Sequence, residues 1–201
     1  MDLDGVLFDF NTAFCKLLNE EFGAKLPMPS AEWPEQWDYP TIGGYITKDQ
    51  DRQMWKAICS GQIKNFWTNL PYYSHSTDLI AAGNDKAREV YYITSRCGPD
   101  RLAESTQAVE ELLEEARLNS FVFNDGPVSV IPVDNHLNKL PIINALNLTH
   151  YIDDRPDTML EADYKCPRTK LALWDQPWNR HINLSGVARL RSVEQFKEWL
   201  R

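Results

Sequence analysis

Asp2 and Asp4 stand one residue apart in the run Asp2-Leu3-Asp4-Gly5-Val6-Leu7-Phe8-Asp9-Phe10. In extended chain, residues i and i+2 share a face, so both carboxylates can point into one crevice. One acid of such a pair can attack phosphorus while the other handles a proton. Like charges held that close repel and raise one pKa unless a cation lies between them, and Mg²⁺ on oxygen ligands is the simplest choice. An Asp-x-Asp-Gly turn or a calcium loop uses the same residue types, so the decision rests on partners further along. Val90-Tyr91-Tyr92-Ile93-Thr94-Ser95-Arg96 is a β-branched and aromatic run ending in hydroxyls and a guanidinium. It is expected to be a buried parallel strand that delivers Thr94 and Ser95 to its carboxyl end. Lys139 heads Leu140-Pro141-Ile142-Ile143-Asn144-Ala145-Leu146, where the proline suits a helix's first turn. His150-Tyr151-Ile152 runs into Asp153-Asp154-Arg155-Pro156-Asp157, a short apolar strand ending in paired acids.

The elements that must position these residues alternate between strand and helix. Phe10, Phe14, Leu17, Leu18 and Phe22 recur at helical spacing and Gly23 follows, which predicts a helix of about three turns. From Lys25 to Pro71 the character changes: Pro27, Pro29, Pro34, Pro40 and Pro71 are interleaved with Trp33, Trp37, Tyr39, Tyr45, Trp55, Phe66 and Trp67. No strand alternation is visible there, and Thr47 with Gln50 forms a capping-box pattern. Residues 25–71 therefore read as a small, mostly helical cap inserted into a core formed by 1–24 and 72–201. Asp100 to Leu118 reads as an amphipathic helix with Leu102, Val109, Leu112 and Leu113 on its apolar side. Phe121-Val122-Phe123, Val128-Ser129-Val130-Ile131 and Lys170-Leu171-Ala172-Leu173-Trp174 read as short strands, and Ser192 to Leu200 as a closing helix. This order implies an α/β core with a parallel sheet and right-handed crossovers, in which ligands bind outside the carboxyl ends of the strands.

Composition narrows the partners. A formal charge of −8 and a pI near 5.0 disfavour a nucleic-acid polymer, whose backbone selects basic patches. A small phosphomonoester is compatible, because a metal and Lys139 can offset its charge. Cys15, Cys59, Cys97 and Cys166 show no Cys-x-x-Cys pair, and His75, His136, His150 and His181 lack ligand spacing, which argues against zinc or a redox motif. No membrane span and no signal peptide are visible. The expectation is a reducing cytoplasm.

The acid pair, the hydroxyl-ended strand, the lysine and the second acid pair, in that order, resemble the four motifs of the haloacid dehalogenase superfamily. Asp2-x-Asp4-Gly5-Val6-Leu7-x-Asp9-Phe10, Phe66-Trp67-x-Asn69-Leu70-Pro71, Ile93-Thr94-Ser95-Arg96, Ile152-Asp153-Asp154-Arg155-Pro156 and Asp175-Gln176-Pro177-Trp178-Asn179-Arg180 further resemble the 5'(3')-deoxyribonucleotidase family and its bacterial and phage-borne relatives. The resemblance implies a Rossmannoid α/β fold and a Mg²⁺-dependent phosphatase acting on deoxynucleoside monophosphates. It makes Asp2 the nucleophile, Asp4 the general acid and base, Thr94 and Ser95 donors to the phosphoryl oxygens, and Lys139 the neutralising cation. The metal falls to Asp2, the Asp4 backbone, Asp153 and, through water, Asp154. Phe66 and Trp67 match positions that sandwich a base, with cap core as the alternative use. Trp33 and Trp37 are weaker candidates for that slot. Arg96 and Arg155 could reach phosphate or sugar, the alternative being an Arg-Asp pair within the motif. A homodimer is compatible with this reading, and nothing in the sequence demands one. That family leads into its nucleophile with a complete apolar strand, whereas Met1 alone precedes Asp2. Either the sequence starts late, at an internal methionine, or the first strand is cut short, and the expectation for the chain as it stands is an Asp2 held loosely. Another phosphomonoester as substrate, or an inactive binding protein of the same fold, remains the competing reading.

Overall fold

All the named strands run parallel, and the first two residues join them into one layer. The structure is a computed structural model that describes residues 1–29, 35–87, 89–118 and 128–201. Trp33 and the expected strand Phe121-Val122-Phe123 lie outside the described residues. Strand β1 (Tyr91–Ser95) pairs with β2 (Ser129–Val133), and β3 (His150–Asp153), β4 (Lys170–Trp174) and β5 (Val187–Leu190) form a second sheet in that order. Between the two sheets lies a gap one chain wide. The Met1 ammonium donates to the Tyr91 carbonyl at 2.8 Å. The Met1 carbonyl accepts from the Ile93 N–H at 2.9 Å, and the Asp2 N–H donates to the Ile152 carbonyl at 2.9 Å. Residues 1 and 2 thus do the work of a strand without the length of one. The expectation of a loosely held Asp2 is corrected: its backbone is tied into the gap and it is 3% exposed.

A parallel layer needs cover on both faces, and the period-two alternation of its strands divides the apolar residues accordingly. Tyr92, Ile152, Ala172 and Trp174 belong to a cluster that takes in α1 (Phe10–Phe22), α3 (Lys48–Cys59), α4 (Ser76–Lys86), α5 (Arg101–Leu118) and α8 (Val193–Trp199). Ile93, Tyr151, Leu171 and Leu173 point the other way, against α6 (Lys139–Ala145) and α7 (Pro156–Lys165). The α/β fold class is therefore as the sequence implies, Rossmann-like with helices on either side. On α5 the buried stripe begins at Ser105, and Leu102, expected on the apolar side, is exposed in the first turn.

Local signals hold well where the site is built. The Asp9 carboxylate caps α1 by accepting from the Thr12 N–H at 3.0 Å and its hydroxyl at 2.6 Å. At the other end Gly23 adopts φ 60° and closes the helix. Within residues 25–71 the described residues form α2 (Tyr39–Ile42) and α3, the latter started by the Thr47–Gln50 capping box. Ile46, Met54, Ile58, Phe66, Trp67 and Leu70 from this segment share one apolar cluster with Leu3, Val6, Leu7 and Phe8. Each such side chain contributes about 1.5–3 kcal/mol on full burial, so the segment is welded to the loop that follows Asp2. Cys59, at the end of α3, forms a disulfide with Cys97, just past β1. Cysteines without a sequence pattern are thus paired in space. Among the described residues no helix is long and apolar enough to cross a membrane.

Candidate active site

The carboxyl ends of the strands converge on Lys139. This lysine begins α6, is 1% exposed, and lies 2.6 Å from Asp2 Oδ2 and 2.8 Å from Asp153 Oδ2. Asp153 ends β3 and is fully served: Oδ2 also accepts from the Tyr151 hydroxyl at 2.7 Å, and Oδ1 from the Arg155 N–H at 2.9 Å. Asp2 has the lysine and the Leu3 N–H, which donates to Oδ1 at 2.8 Å. Among the described residues Asp154 has no ion pair of its own; its Oδ2 accepts from the Trp178 indole N–H at 2.9 Å. One oxygen from each of Asp2, Asp153 and Asp154 lies within 4.8 Å of the others.

The electrostatics follow from that distribution. Burial, then repulsion from Asp153, pushes the Asp2 carboxyl up to about 7 despite Lys139. Burial, then Asp153 and Asp2, pushes Asp154 well above the ordinary carboxylate range. Burial would raise Asp153 too, but Lys139, Tyr151 and the Arg155 amide outweigh it and hold it below its ordinary value. Burial alone would lower Lys139, yet the charges of Asp153 and Asp2 raise it, so it stays an ammonium. The centre is short of positive charge in the way a divalent cation corrects.

Asp4 leaves this cluster and faces β1. Arg96, 1% exposed, grips it in a two-pronged pair, Nε to Oδ2 at 3.0 Å and Nη2 to Oδ1 at 2.7 Å, while Nη1 donates to Ser105 Oγ at 3.1 Å. The Thr94 hydroxyl lies 3.3 Å from Asp4 Oδ2. Gly5, next in the chain, has φ 78°, and a Cβ there would stand 2.3 Å from Asp154 Oδ2. Only glycine lets the loop after Asp4 come that close to the second acid pair.

A cleft of about 280 Å³ opens over this floor, lined by Asp2, Asp4, Ser95, Arg96, Lys139, Asp154 and Arg155, with Phe10, Trp37, Trp55 and Trp67 as apolar walls. The structure therefore gathers Asp2, Asp4, Thr94, Ser95, Arg96, Lys139, Asp153 and Asp154 at one place. Arg155 reaches the cleft but is paired with Asp157, Nε to Oδ1 at 3.1 Å and Nη2 to Oδ2 at 2.8 Å. Trp67 is a wall whose indole N–H donates to the Cys97 carbonyl at 2.8 Å. Phe66 is not part of the lining; it packs edge-on against Phe10 and Trp67. Trp37, a weaker candidate for the base slot, stacks on Phe10 at the cleft wall, as does Trp55. Sequence reasoning missed Tyr151, although its place two residues before Asp153 on one strand face was a usable signal. Trp178 belongs to the Asp175-Gln176-Pro177-Trp178-Asn179-Arg180 stretch, which marked the loop but not its contact with Asp154.

No family model matches the chain. A curated protein of Oceanobacillus iheyensis, named "Putative nucleotidase OB0422", is 30% identical to it over 151 residues, a stretch amounting to 75% of this chain and 71% of that protein.

Proposed function

The chain belongs to one family with the Oceanobacillus protein named "Putative nucleotidase OB0422", and from that premise we propose that it is a Mg²⁺-dependent phosphatase of nucleoside monophosphates, built and working as haloacid dehalogenase phosphatases do. The observation that carries the proposal is the meeting of Asp2, Lys139 and Asp153, from distant parts of the chain, at the floor of an aromatic-walled cleft. The walls favour a nucleotide over a sugar phosphate, since stacking a base on an aromatic ring is worth ~1–3 kcal/mol. Deoxyribonucleotides are preferred on the motif resemblance.

In this reading Asp2 attacks phosphorus in line, the bond to the ribose oxygen breaks, and an aspartyl-phosphate forms. Asp4 gives the leaving oxygen its proton and then takes one from the water that hydrolyses the intermediate. Arg96 and Thr94 keep Asp4 aimed into the cleft between turnovers. Thr94 and Ser95 donate to the phosphoryl oxygens, and Lys139 offsets charge on Asp2 and phosphate together. Asp2, Asp153 and Asp154 are the residues that would hold Mg²⁺, whose charge balances the acids and the entering phosphate.

Phosphate release from a panel of deoxynucleoside monophosphates, ribonucleotides and sugar phosphates, with Mg²⁺ and with chelator, tests the proposal. Mg²⁺-dependent hydrolysis that favours nucleotides and is abolished by Asp2→Asn is the expected result. Asp4→Asn should lose about 10²–10⁴-fold and accumulate phosphorylated protein. Turnover of sugar phosphates alone would replace the substrate class, and no turnover of any phosphomonoester would leave a binding protein.

A further inference from the structure

The segment Gln176-Pro177-Trp178-Asn179 follows β4 as a short turn of 3₁₀ helix, and its polar side chains are spent on the two acid motifs rather than on solvent. Gln176 Nε2 donates to the Gly5 carbonyl at 2.6 Å, across a separation of 171 residues. Asn179 Nδ2 donates to the Asp154 carbonyl at 2.7 Å and to the Trp174 carbonyl at 2.8 Å. Its Oδ1 accepts from the Gln176 N–H at 3.1 Å and from Arg189 Nη1 at 2.8 Å. Asn179 is wholly buried, and Gln176 and Trp178 are nearly so. A loop this saturated is rigid, and it grips the backbone on both sides of the cleft floor.

Trp178 completes the grip. Its indole N–H meets Asp154 Oδ2, and Gly5 packs so close to the same carboxylate that a Cβ there would stand 2.3 Å from Oδ2 and 2.8 Å from Oδ1. A carboxylate with one oxygen anchored and its flank blocked cannot spin about its Cβ–Cγ bond. One oxygen of this carboxylate lies within 4.8 Å of an oxygen from each of Asp2 and Asp153. We propose that Trp178 is a positioning residue whose indole N–H fixes the rotation of Asp154, so that the three acids present converging oxygens to a divalent cation. The inference rests on the metal-dependent reading of the site and adds the part that prepares it for the ion.

The test is Mg²⁺ binding to the whole chain without substrate, followed by calorimetry, for the native protein and for Trp178→Phe. The phenyl ring keeps an aromatic side chain beside Trp37 and removes the donor together with part of the ring's volume, which is why Trp178→His is needed beside it. Partners that orient metal ligands are typically worth 10–100-fold in affinity, so Trp178→Phe should bind Mg²⁺ at least about tenfold more weakly. Its nucleotide KM at saturating Mg²⁺ should stay unchanged. Trp178→His, which returns an N–H on a smaller ring, should recover part of the loss. If the Phe variant is too unstable for calorimetry, the rise in melting temperature on adding Mg²⁺ reads the same quantity. In an Asp154→Asn background the further change Trp178→Phe should then add no loss. Equal Mg²⁺ affinity in the native and Phe proteins overturns the positioning role alone. A native protein that binds no Mg²⁺ overturns the metal-dependent reading as well, so the two failures are told apart.

Discussion

Lys139 is the residue on which the charge balance of the floor turns, because one buried ammonium serves two carboxylates that would otherwise repel. Replacing it by Met leaves Asp2 and Asp153 facing each other out of water. Breaking a buried ion pair costs about 3–5 kcal/mol, so Lys139→Met should lower unfolding free energy in chelator by that order, read by denaturant titration. Mg²⁺ should return part of the loss, while turnover stays at least about a hundredfold down. Full turnover by the variant would remove Lys139 from the mechanism. Asp2 supplies a second expectation. Its native carboxyl is raised to about 7 from 3.8, so the folded metal-free protein binds that proton more tightly than the unfolded chain does. Its contribution is complete below about pH 4 and is lost as pH rises through 7. Metal-free native protein should therefore lose stability relative to Asp2→Asn between those limits, by up to roughly 4 kcal/mol, and Mg²⁺ should reverse the trend. A flat difference across that range would show that Asp2 is ionised throughout. At this scale the acids, Thr94 and Lys139 were legible, because their order along the chain and the strand signals before them place them together. Trp178 and Gln176 were not, since their partners Asp154 and Gly5 are chosen by a loop path that no local pattern records.

The loop from Leu3 to Phe8 and the join between α3 and β1 show how elements, rather than single groups, hold the site. The Leu3 carbonyl accepts from the Leu7 and Phe8 N–H groups, the Gly5 N–H donates to Phe8, and residues 71–73 pair alongside through Asp9 to Pro71 and Tyr73 to Leu7. Gly5→Ala puts a methyl group into the Asp154 carboxylate on a left-handed backbone. The variant should lose several kcal/mol, beyond the ~1 kcal/mol of conformation alone, and most of its Mg²⁺ affinity; a melting point near that of the native protein would contradict the close approach. The disulfide between Cys59 and Cys97 closes 38 residues, a loop for which the chain-entropy estimate is about 4 kcal/mol. Dithiothreitol, or Cys59→Ser, should therefore lower the melting temperature by many degrees. Denatured unreduced protein should show two titratable thiols, those of Cys15 and Cys166, and four at the outset would deny the pairing. Periodic elements such as α1, α5, β4 and α8 were readable because burial imposes the period. The cysteine pair was not, because spacing along the chain says nothing of a helix end brought beside a strand end, and the argument for a reducing compartment that rested on scatter goes with it.

For the whole molecule, the alternation of strand and helix was enough to give a parallel α/β layer, since that order admits few other arrangements. The division of the layer into two sheets tied by Met1 and Asp2 was beyond it, because alternation records the order of elements and not which backbone groups pair. Residues 25–71 read as a separate helical piece from their prolines and tryptophans, yet their buried side chains join the same apolar cluster as the loop after Asp2. Apolar clusters on both faces of the layer raise the cost of the four acids at its centre, and what keeps them there is Lys139 on Asp2 and Asp153, Arg96 on Asp4, and the Tyr151 and Trp178 donors. The two-residue splice between β1 and β3 then has a mechanical consequence. It is the zip that closes the layer lengthwise, and its second tooth is Asp2, so the halves cannot part without dislodging the group that would take the phosphoryl transfer. Recovery of the proposed turnover after dilution from denaturant should accordingly keep pace with protection of the Ile93 amide hydrogen, which donates to the Met1 carbonyl.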